Sequence, residues 1–506
     1  MTRRRHREKR VVAAVRQLPW QRVRNPYPPI EVLSEDQVES ILNAALSILE
    51  TKGFRFLEKD SLRRLKNGGA DVRDGDDMVR FDRDLVLEKI AQAPAEFTLR
   101  ARNPAHDLII GGNHMVFGSV GGPAFVNDLD RGRRPGTFED LCDYFKVVQS
   151  LNIIHQEGGS AFEAMDLPPE SRHLDLYLAQ LTLLDKNAQG YALGRMRTLD
   201  CLEMTSIALG TDRAGLECEP AVLAIINTNS PMQLDIPMTE ATIELAEAMQ
   251  VNCITPFTLA GSMSPATLAG TLAQQTAEVL AVATLAQIVR PGAPVMYGAF
   301  ASNVDMQSGA PALGTPEYTK MAFASGQIAR RLGIPFRSSN TTSSNCVDAQ
   351  AAYESEMSLW GAMMGHANLV NHAAGWLEGG LTASFEKLIV DAEMLQMMTE
   401  WMKPILCNDD EMALDAIAGV PPGGHHFGTE HTLARYEHAF YAPILSDRQN
   451  FEVWQEGGSM DAAVRANAIW KKLLAEYQKP GIDPAIEEAL VAYVEKRKKE
   501  IATSAS

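Results

Sequence analysis

The stretch from Gly333 to Ser355, GIPFRSSNTTSSNCVDAQAAYES, combines residue types that can carry chemistry with a pattern that would position them. Its apolar start ends at Arg337, whose guanidinium can pair bidentately with a carboxylate ligand or form a structural ion pair. Small polar residues follow, and Asp348 then opens a helical stretch as a typical N-cap residue. Such a strand-to-helix turn could line a catalytic mouth, where it leaves room and supplies hydrogen bonds. A flexible surface loop has the same composition.

Cysteine and histidine side chains suggest a second kind of chemistry. Cys346 lies in the same turn, just before a predicted helix N-terminus, which would lower the thiol pKa and suit a nucleophile, but a buried or inert cysteine is the default interpretation. His425, His426 and His431 could ligate a metal, but no H-E-x-x-H and no Cys/His pair with zinc-finger spacing accompanies them. A barrel lyase or hydrolase using Cys346 or these histidines is one hypothesis, and we expect no metal site.

A repeating pattern places this turn in a larger fold. From about residue 150, short apolar runs that end in Gly, Asn or Ser alternate with helical stretches, roughly 30–40 residues apart, as in βα units. In one such stretch, Thr315 is a predicted N-cap and Gly333 lies just past the helix end. The seven runs begin at Leu151, Ala188, Ala221, Val251, Ala293, Ile334 and Ala367.

An eighth strand is available between Asn113 and Val126. Eight βα units predict a (β/α)8 TIM barrel with helical N-terminal and C-terminal additions, and its active site would lie at the C-terminal ends of the strands. A doubly wound open sheet is the alternative. If the barrel forms, its parallel strands should carry Ile153, Val222, Ile254, Val295, Phe336 and Val370.

Composition narrows the range of functions. The formal net charge of -17 excludes a typical nucleic-acid surface, and no G-x-G-x-x-G or P-loop pattern indicates nucleotide binding. The six cysteines are scattered along the sequence, which favours a protein of the reducing cytoplasm over one with a disulfide framework. We divide the chain into a basic, disordered tail (1–29), a mostly helical extension (30–110), the barrel (111–390) and a helical region packed on the barrel (391–506).

Four separate stretches resemble the trimethylamine methyltransferase family of corrinoid-dependent methyltransferases. They span Phe117–Leu141, Tyr297–Tyr318, Val347–Ser355 and Gly424–Gly458, in order along the chain. The resemblance implies a (β/α)8 barrel that passes a methyl group from an amine to the cobalt of a small corrinoid protein docked on the barrel mouth. This agrees with the fold predicted from the repeats.

The resemblance also narrows the substrate. Trimethylamine-specific members carry pyrrolysine, which we expect in the loop matching Ser338–Cys346, and this chain has ordinary residues there. It is therefore more similar to members without pyrrolysine, such as glycine betaine methyltransferases. A quaternary amine leaves as a neutral tertiary amine, so it needs no protonation or covalent activation. Trimethylamine or another methylamine as donor, and a non-catalytic protein that binds a quaternary amine or a corrinoid partner, remain alternatives.

A quaternary ammonium is held by aromatic faces and nearby carboxylates. Tyr297, Phe300 and Trp376 could form such a cage, Glu157 or Glu378 could face the cation, and Arg337 could bind a substrate carboxylate. Each of these residues could instead belong to the core, a helix cap or the surface. No catalytic residue is assigned. The predicted substrate-binding set is Glu157, Tyr297, Phe300, Arg337, Asn340, His372 and Trp376.

The resemblance implies that cobalamin is carried by the partner protein. The chain has no D-x-H-x-x-G corrinoid-ligand pattern, so we expect no tightly bound corrinoid on it. We expect a small corrinoid-binding protein and a quaternary amine as partners, no nucleic acid, no membrane, a cytoplasmic location and a possible homo-oligomer.

Overall fold

The computed structural model describes residues 15–504, and its centre is a closed barrel of eight parallel strands. Each strand pairs with the next along the chain and β8 pairs with β1, while a bridge between Gln189 and Leu223 joins β3 to β4. The (β/α)8 prediction is confirmed. The strands are β1 (His114–Ser119), β2 (Gln156–Glu157), β3 (Asn187–Ala188), β4 (Leu223–Ile226), β5 (Val251–Ile254), β6 (Val295–Gly298), β7 (Phe336–Ser339) and β8 (Leu369–Ala374).

A main helix follows each strand and packs around the barrel, and a short second helix, Arg213–Cys218, precedes β4. Local signals fix several helix ends: Thr315 and Asp348 cap helices as predicted, and Gly333 ends one at φ 70°, a left-handed conformation that suits glycine. The helices are α1 (Phe138–Ser150), α2 (Arg172–Leu183), α3 (Arg195–Ala208), α4 (Ile236–Glu247), α5 (Leu268–Val289), α6 (Pro316–Leu332), α7 (Ala349–Met364) and α8 (Phe385–Trp401).

Two strand predictions need correction. Ile254, Val295, Phe336 and Val370 lie on barrel strands, but Ile153 and Val222 do not. Ile153 lies in the turn before β2, and Val222 directly precedes β4. Both are buried, so their apolar character is explained by the core, whereas strand limits depend on pairing with neighbouring strands.

The N-terminal segment is part of the fold. Residues 1–14 of the predicted disordered tail lie outside the described residues, but the prediction is wrong for residues 15–29. Val23–Arg24 pairs antiparallel with β1, and the buried Asn25 donates a hydrogen bond to the Met363 carbonyl. The extension that follows mixes both element types. Its helices are Glu35–Thr51, Lys59–Asn67 and Arg83–Ile90, and its strands are Phe54–Phe56, Asp71–Val72, Met78–Arg80, Glu96–Leu99 and Leu108–Gly111.

Helix α5 is long and has a strongly apolar composition. It is the only helix of the described part that is long and apolar enough to cross a membrane, and 89% of that stretch is buried inside the protein. It packs against the helices Glu35–Thr51 and Arg83–Ile90 and against α4. Contact with protein on all sides accounts for its composition.

Loops at the C-terminal ends of the strands form two small sheets that surround the mouth. One contains Phe125–Asn127, Arg134–Pro135, Trp376–Leu377 and Thr382–Ser384, and the other Leu259–Ala260, Ser302–Val304 and Pro311–Ala312.

Beyond the barrel the chain is helical. Helix α8 crosses the predicted boundary at residue 390. The helix Ala462–Ala475 packs on α8 and α1, and the helix Pro484–Ser504 packs on α2 and α3. Between α8 and Ala462 lie four short helices, Asp409–Met412, Leu414–Ala418, Glu430–Arg435 and Phe451–Glu456.

Candidate functional site

An aromatic cluster lies at the C-terminal ends of β5, β6 and β8. The ring of Phe300 lies 5.9 Å from that of Trp376 and 6.2 Å from that of His372, and the His372 and Trp376 rings are 4.6 Å apart. Phe257 extends the cluster at 5.1 Å from Phe300. Three of the predicted residues therefore come together, and we call this group, with Phe257, the aromatic cluster.

Arg337 on β7 lies directly beside the aromatic cluster. Its guanidinium carbon is 5.2 Å from the centre of the Phe300 ring, although the residue is only 1% exposed. No carboxylate among the described residues forms an ion pair with it. Nη1 makes one long hydrogen bond of 3.4 Å to the Ala299 carbonyl, and Nε has no partner. A buried cation without a counter-ion is costly, so this position is suited to an anionic ligand.

His372 is held in one orientation. Its Nδ1 accepts a hydrogen bond of 3.2 Å from the backbone N–H of Gly121, so Nε2 carries the proton of the neutral ring. Burial, together with the charge of Arg337, keeps the pKa of His372 well below its usual value. The ring therefore stays neutral at physiological pH and does not repel a cation in the cluster.

A close backbone contact positions the Gly121 donor. A Cβ atom on Gly121 would lie 1.9 Å from the carbonyl oxygen of Gly158, in the loop after β2. A Cβ atom on Gly158 would lie 2.1 Å from the carbonyl oxygen of Ser119. Only glycine permits this approach of the two loops, which brings the Gly121 N–H to His372.

The Ser/Thr loop after β7 is anchored and forms part of the site. Residues 338–342 are buried, and the Glu354 carboxylate on α7 accepts hydrogen bonds from the Thr342 hydroxyl and from the backbone N–H groups of Ser343 and Ser344. The Thr342 carbonyl in turn accepts a hydrogen bond of 3.1 Å from the Trp376 indole. The loop therefore fixes the Trp376 ring, and the flexible-loop interpretation is wrong.

A polar layer lies inside the barrel. Gln156 pairs with Asn187 on one side and with Gly118 on the other, and Asn371 pairs with Ser339. Several buried polar atoms of this layer have no protein partner. They are Gln156 Oε1, Asn371 Oδ1 and Nδ2, and Ser339 Oγ. The lumen can therefore hydrogen-bond a small polar ligand.

Two predicted residues, Tyr297 and Glu157, lie away from the aromatic cluster. The Tyr297 hydroxyl bonds Gln275 and Thr276 on α5, so its ring lies between the barrel wall and the helices. The Glu157 carboxylate accepts hydrogen bonds from the N–H groups of Gly159 and Ser160 and interacts electrostatically with tyrosines of the helical layer. Burial raises the pKa of Glu157 to about 7.

Asn340 supports the cluster from behind. Its amide donates a hydrogen bond of 2.9 Å to the Ala373 carbonyl at the end of β8. Asp391, which forms a buried ion pair with Lys387, accepts a hydrogen bond of 2.8 Å from the Gly375 N–H. These contacts hold the backbone that carries His372 and Trp376.

The other candidates have ordinary roles in the structure. Glu378 forms an ion pair of 2.8 Å with Arg133. Cys346 is exposed, and partial desolvation together with the neighbouring Asp348 carboxylate raises its thiol pKa, which argues against an activated nucleophile. His425, His426 and His431 lie in the exposed C-terminal segment, and residues 15–504 contain no group of three or more His, Cys, Asp or Glu placed to hold a metal.

Sequence reasoning missed Phe257. It follows β5 by three residues, much as Phe300 follows β6 by two, within a run already identified as a strand. Phe257 could have been predicted from the sequence, because it occupies nearly the same position after its strand as Phe300 does in the next βα unit.

Fold and geometry together define a TIM-barrel protein with an unpaired arginine and an aromatic cluster at its mouth. The family model "Trimethylamine methyltransferase (MTTB)" matches residues 1–502. The chain belongs to the trimethylamine methyltransferase family, as its sequence motifs predicted, and it is a methyltransferase.

Two relatives align along nearly their whole length. The chain is 38% identical over 475 residues to glycine betaine methyltransferase of Desulfitobacterium hafniense strain Y51, covering 94% of this chain and 98% of the relative. It is 26% identical over 484 residues to trimethylamine methyltransferase MttB of D. hafniense strain DSM 10664 / DCB-2, covering 94% and 95%.

A solved structure shares the fold. The crystal structure of monomethylamine methyltransferase MtmB of Methanosarcina barkeri superimposes with a TM-score of 0.52 at 9% identity, covering 90% of each chain. At this identity the likeness supports the fold alone.

Proposed function

We propose that this methyltransferase takes a methyl group from a quaternary amine that bears a carboxylate, with glycine betaine as first choice, and delivers it to the cob(I)alamin of a partner corrinoid protein. The buried, unpaired Arg337 beside the aromatic cluster is the observation that carries this proposal. The identity to glycine betaine methyltransferase supports the same substrate class.

Arg337 would bind the carboxylate end. A buried guanidinium with a free Nε–H can donate two parallel hydrogen bonds to a carboxylate, and pairing removes the cost of the buried charge. The polar layer in the lumen would hydrogen-bond the remaining carboxylate lone pairs or ordered water. Trimethylamine has no group that would use these contacts.

The aromatic cluster would bind the cationic end. Phe300 lies 5.1 Å from Phe257 and 5.9 Å from Trp376, and a quaternary ammonium bound against these rings would make cation–π contacts at about 6 Å or less from their centroids. The neutral His372 adds a fourth ring without adding charge. Methyl groups of the ammonium would then face the open end of the barrel.

The reaction needs little chemistry from the protein. A cob(I)alamin presented at the mouth by the partner would supply the nucleophilic electron pair that accepts the methyl group. The electrons of the broken C–N bond stay on nitrogen, so a neutral tertiary amine leaves and no proton moves. The side chains of the site therefore orient the substrate, exclude water and fix the line of approach. No residue has to act as acid, base or covalent nucleophile.

We expect that partner to dock on the rim of the mouth. Six different βα loops or helix starts each expose a large apolar side chain, between 47% and 78% exposed, around the barrel opening. We call this set the mouth ring. It consists of Leu129, Met165, Leu193, Ile236, Met306 and Leu381.

The deciding experiment is methylation of cob(I)alamin across a substrate panel. The purified protein, with free cofactor or a partner corrinoid protein, is assayed with glycine betaine, carnitine, choline and trimethylamine. We expect glycine betaine to be demethylated to dimethylglycine and to outcompete choline. Turnover of trimethylamine without response to any quaternary amine would refute the proposal.

The proposal includes where the cofactor resides. A corrinoid carried by the partner implies that the chain purified alone has no stoichiometric corrinoid absorbance. An ultraviolet–visible spectrum with corrinoid bands at one equivalent would contradict this part. A cytoplasmic location belongs to the same proposal, since cob(I)alamin requires a reducing compartment.

A further inference from the structure

The loops that follow β1 and β2 are bonded to each other through their backbones. The Gly158 N–H donates a hydrogen bond of 3.0 Å to the Ser119 hydroxyl, and the Gly122 N–H donates one of 2.9 Å to the Ser160 carbonyl. Gly121 lies against the Gly158 carbonyl between these two bonds. The position of the loop after β2 therefore sets the position of the Gly121 N–H, which donates to the aromatic cluster.

The Glu157 side chain holds the loop after β2 in place. One carboxylate oxygen accepts a hydrogen bond of 2.9 Å from the Gly159 N–H, and the other accepts one of 3.0 Å from the Ser160 N–H. These bonds stabilise an unfavourable backbone, because Ser160 has a φ of 73°, in the left-handed region that residues other than glycine rarely adopt. The loop depends on two acceptor oxygens at the end of β2.

Protonation of Glu157 would remove one of these acceptors. An ionised carboxylate accepts hydrogen bonds on both oxygens, and bonds to a charged acceptor are about twice as strong as those between neutral groups. In the acid form, one oxygen carries a hydrogen and faces an N–H donor. The loop is therefore held by the charged form and loosened by the neutral form.

The charge of Glu157 has no cationic partner. The residue is fully buried, and the titratable groups that face it are Tyr144 on α1, Tyr177 on α2 and Tyr191 after β3. Burial raises the pKa of each tyrosine, so all three stay neutral. Burial also raises the pKa of Glu157 to about 7, although the backbone N–H bonds act in the opposite direction. Its charge therefore changes near neutral pH.

We propose that Glu157 is a positioning residue of the methyl transfer: its carboxylate fixes the loop after β2, and this loop fixes Gly121 and, through it, His372. The inference rests on the proposed function, in which the reaction moves no proton. Glu157 contacts neither substrate nor cofactor in this role. Acid nevertheless inhibits the enzyme, because a neutral Glu157 releases the loop and His372 loses its fixed orientation.

The first test is the pH dependence of methyl transfer from glycine betaine to free cob(I)alamin by the full chain. The wild-type kcat/KM should fall about tenfold from pH 8 to pH 6, as the ionised fraction of a group with this pKa does. Glu157→Gln should be slow at both pH values, with a flat profile. The matched variant is Ser119→Ala, which removes the acceptor of the Gly158 N–H without changing any charge. It should be slower throughout and keep the wild-type pH profile.

A flat wild-type profile, or a Glu157→Gln variant that keeps the wild-type rate and profile, would overturn the proposal. Both variants experience the same effect of pH on the cofactor, so the difference between their profiles reports on Glu157.

Hydrogen exchange of the wild-type protein tests the same link without substrate and without a variant. After correction for the intrinsic pH dependence of exchange, amides of residues 119–123 and 158–163 should be more protected at pH 8 than at pH 6. The reference is β5, residues 251–254, whose protection should not change. Equal protection of the two loops at both pH values would overturn the proposal. A pH-dependent loop in a protein that demethylates no quaternary amine would refute the proposed function and, with it, the role in methyl transfer.

Discussion

The mouth ring and residues 403–460, which follow α8 and which we call the arm, both expose large apolar side chains, but the structures behind them differ. Each residue of the mouth ring stands singly on its own βα loop, above a buried site with an unpaired cation. The arm is continuous in sequence and has one buried residue behind it. The comparison teaches that exposure alone does not define a surface's use. A rigid, preformed surface suits a partner that binds transiently. A segment without a core of its own needs a permanent partner.

The largest effect is expected when the buried charge of Arg337 at the mouth is removed. Arg337→Gln should lower kcat/KM for glycine betaine about 10- to 100-fold, since a charge-assisted hydrogen bond contributes about 1.5–3 kcal/mol. Choline should be spared, because it has no carboxylate. The control is Arg330→Gln, which alters an arginine on α6 that donates a hydrogen bond to the Gly365 carbonyl at the other end of the barrel. Equal losses for all substrates would remove the carboxylate argument.

The next largest effect is expected at the aromatic cluster, which would bind the ammonium group of the substrate. Trp376→Ala should raise KM for glycine betaine and choline alike, by about tenfold, because a desolvated cation–π contact contributes about 1–2 kcal/mol. Steady-state kinetics with both substrates measure this. Trp401→Ala, which alters a 42%-exposed indole at the other end of the barrel, is the control. Selective loss of only one substrate would contradict a shared cation site.

Low pH should lower the stability of the barrel through His155, which lies just before β2. Burial lowers the pKa of His155 to about 3, from a usual value near 6.5. The unfolded chain therefore binds a proton that the folded chain does not, and His155 reduces stability by about 1.4 kcal/mol per pH unit as the pH falls below 6.5 towards 3.

The matched variant for this effect is His155→Asn, because an amide oxygen can replace Nδ1 as acceptor of the Phe117 N–H. Urea unfolding from pH 7.5 to 5 should show that the variant's stability deficit shrinks by about 1.4 kcal/mol per pH unit below pH 6.5. A deficit that is constant with pH would contradict a neutral, buried His155.

The smallest expected effect concerns docking at the mouth ring. Met306→Asp should slow methyl transfer to a partner corrinoid protein a few-fold, since one rim contact contributes roughly 1 kcal/mol. Transfer to free cob(I)alamin should not change, because Met306 is 78% exposed and lies outside the aromatic cluster. Equal slowing with both acceptors would place its role in the site rather than in docking.

The sequence by itself determined the barrel and the approximate place of the site. Repeated apolar runs, the N-caps Thr315 and Asp348, and the C-cap Gly333 are local signals, and they predicted the βα units correctly. Arg337, Phe300, His372 and Trp376 were predicted because residues at or just beyond the C-terminal parts of parallel strands reach the same face of a barrel. The family motifs were equally readable without a structure.

Only the tertiary structure decided which side chains meet. A barrel strand is buried on both faces, so its sequence does not show which residues face the lumen; Arg337 faces the site while Tyr297 faces α5. The pKa of the Cys346 thiol depends on its contact with Asp348, and Arg337 became a candidate carboxylate-binding residue because no carboxylate of the described residues pairs with it and its Nε has no partner. The exposure of the arm likewise appears only once the rest of the chain is folded, because burial is a property of the packed molecule and not of a segment.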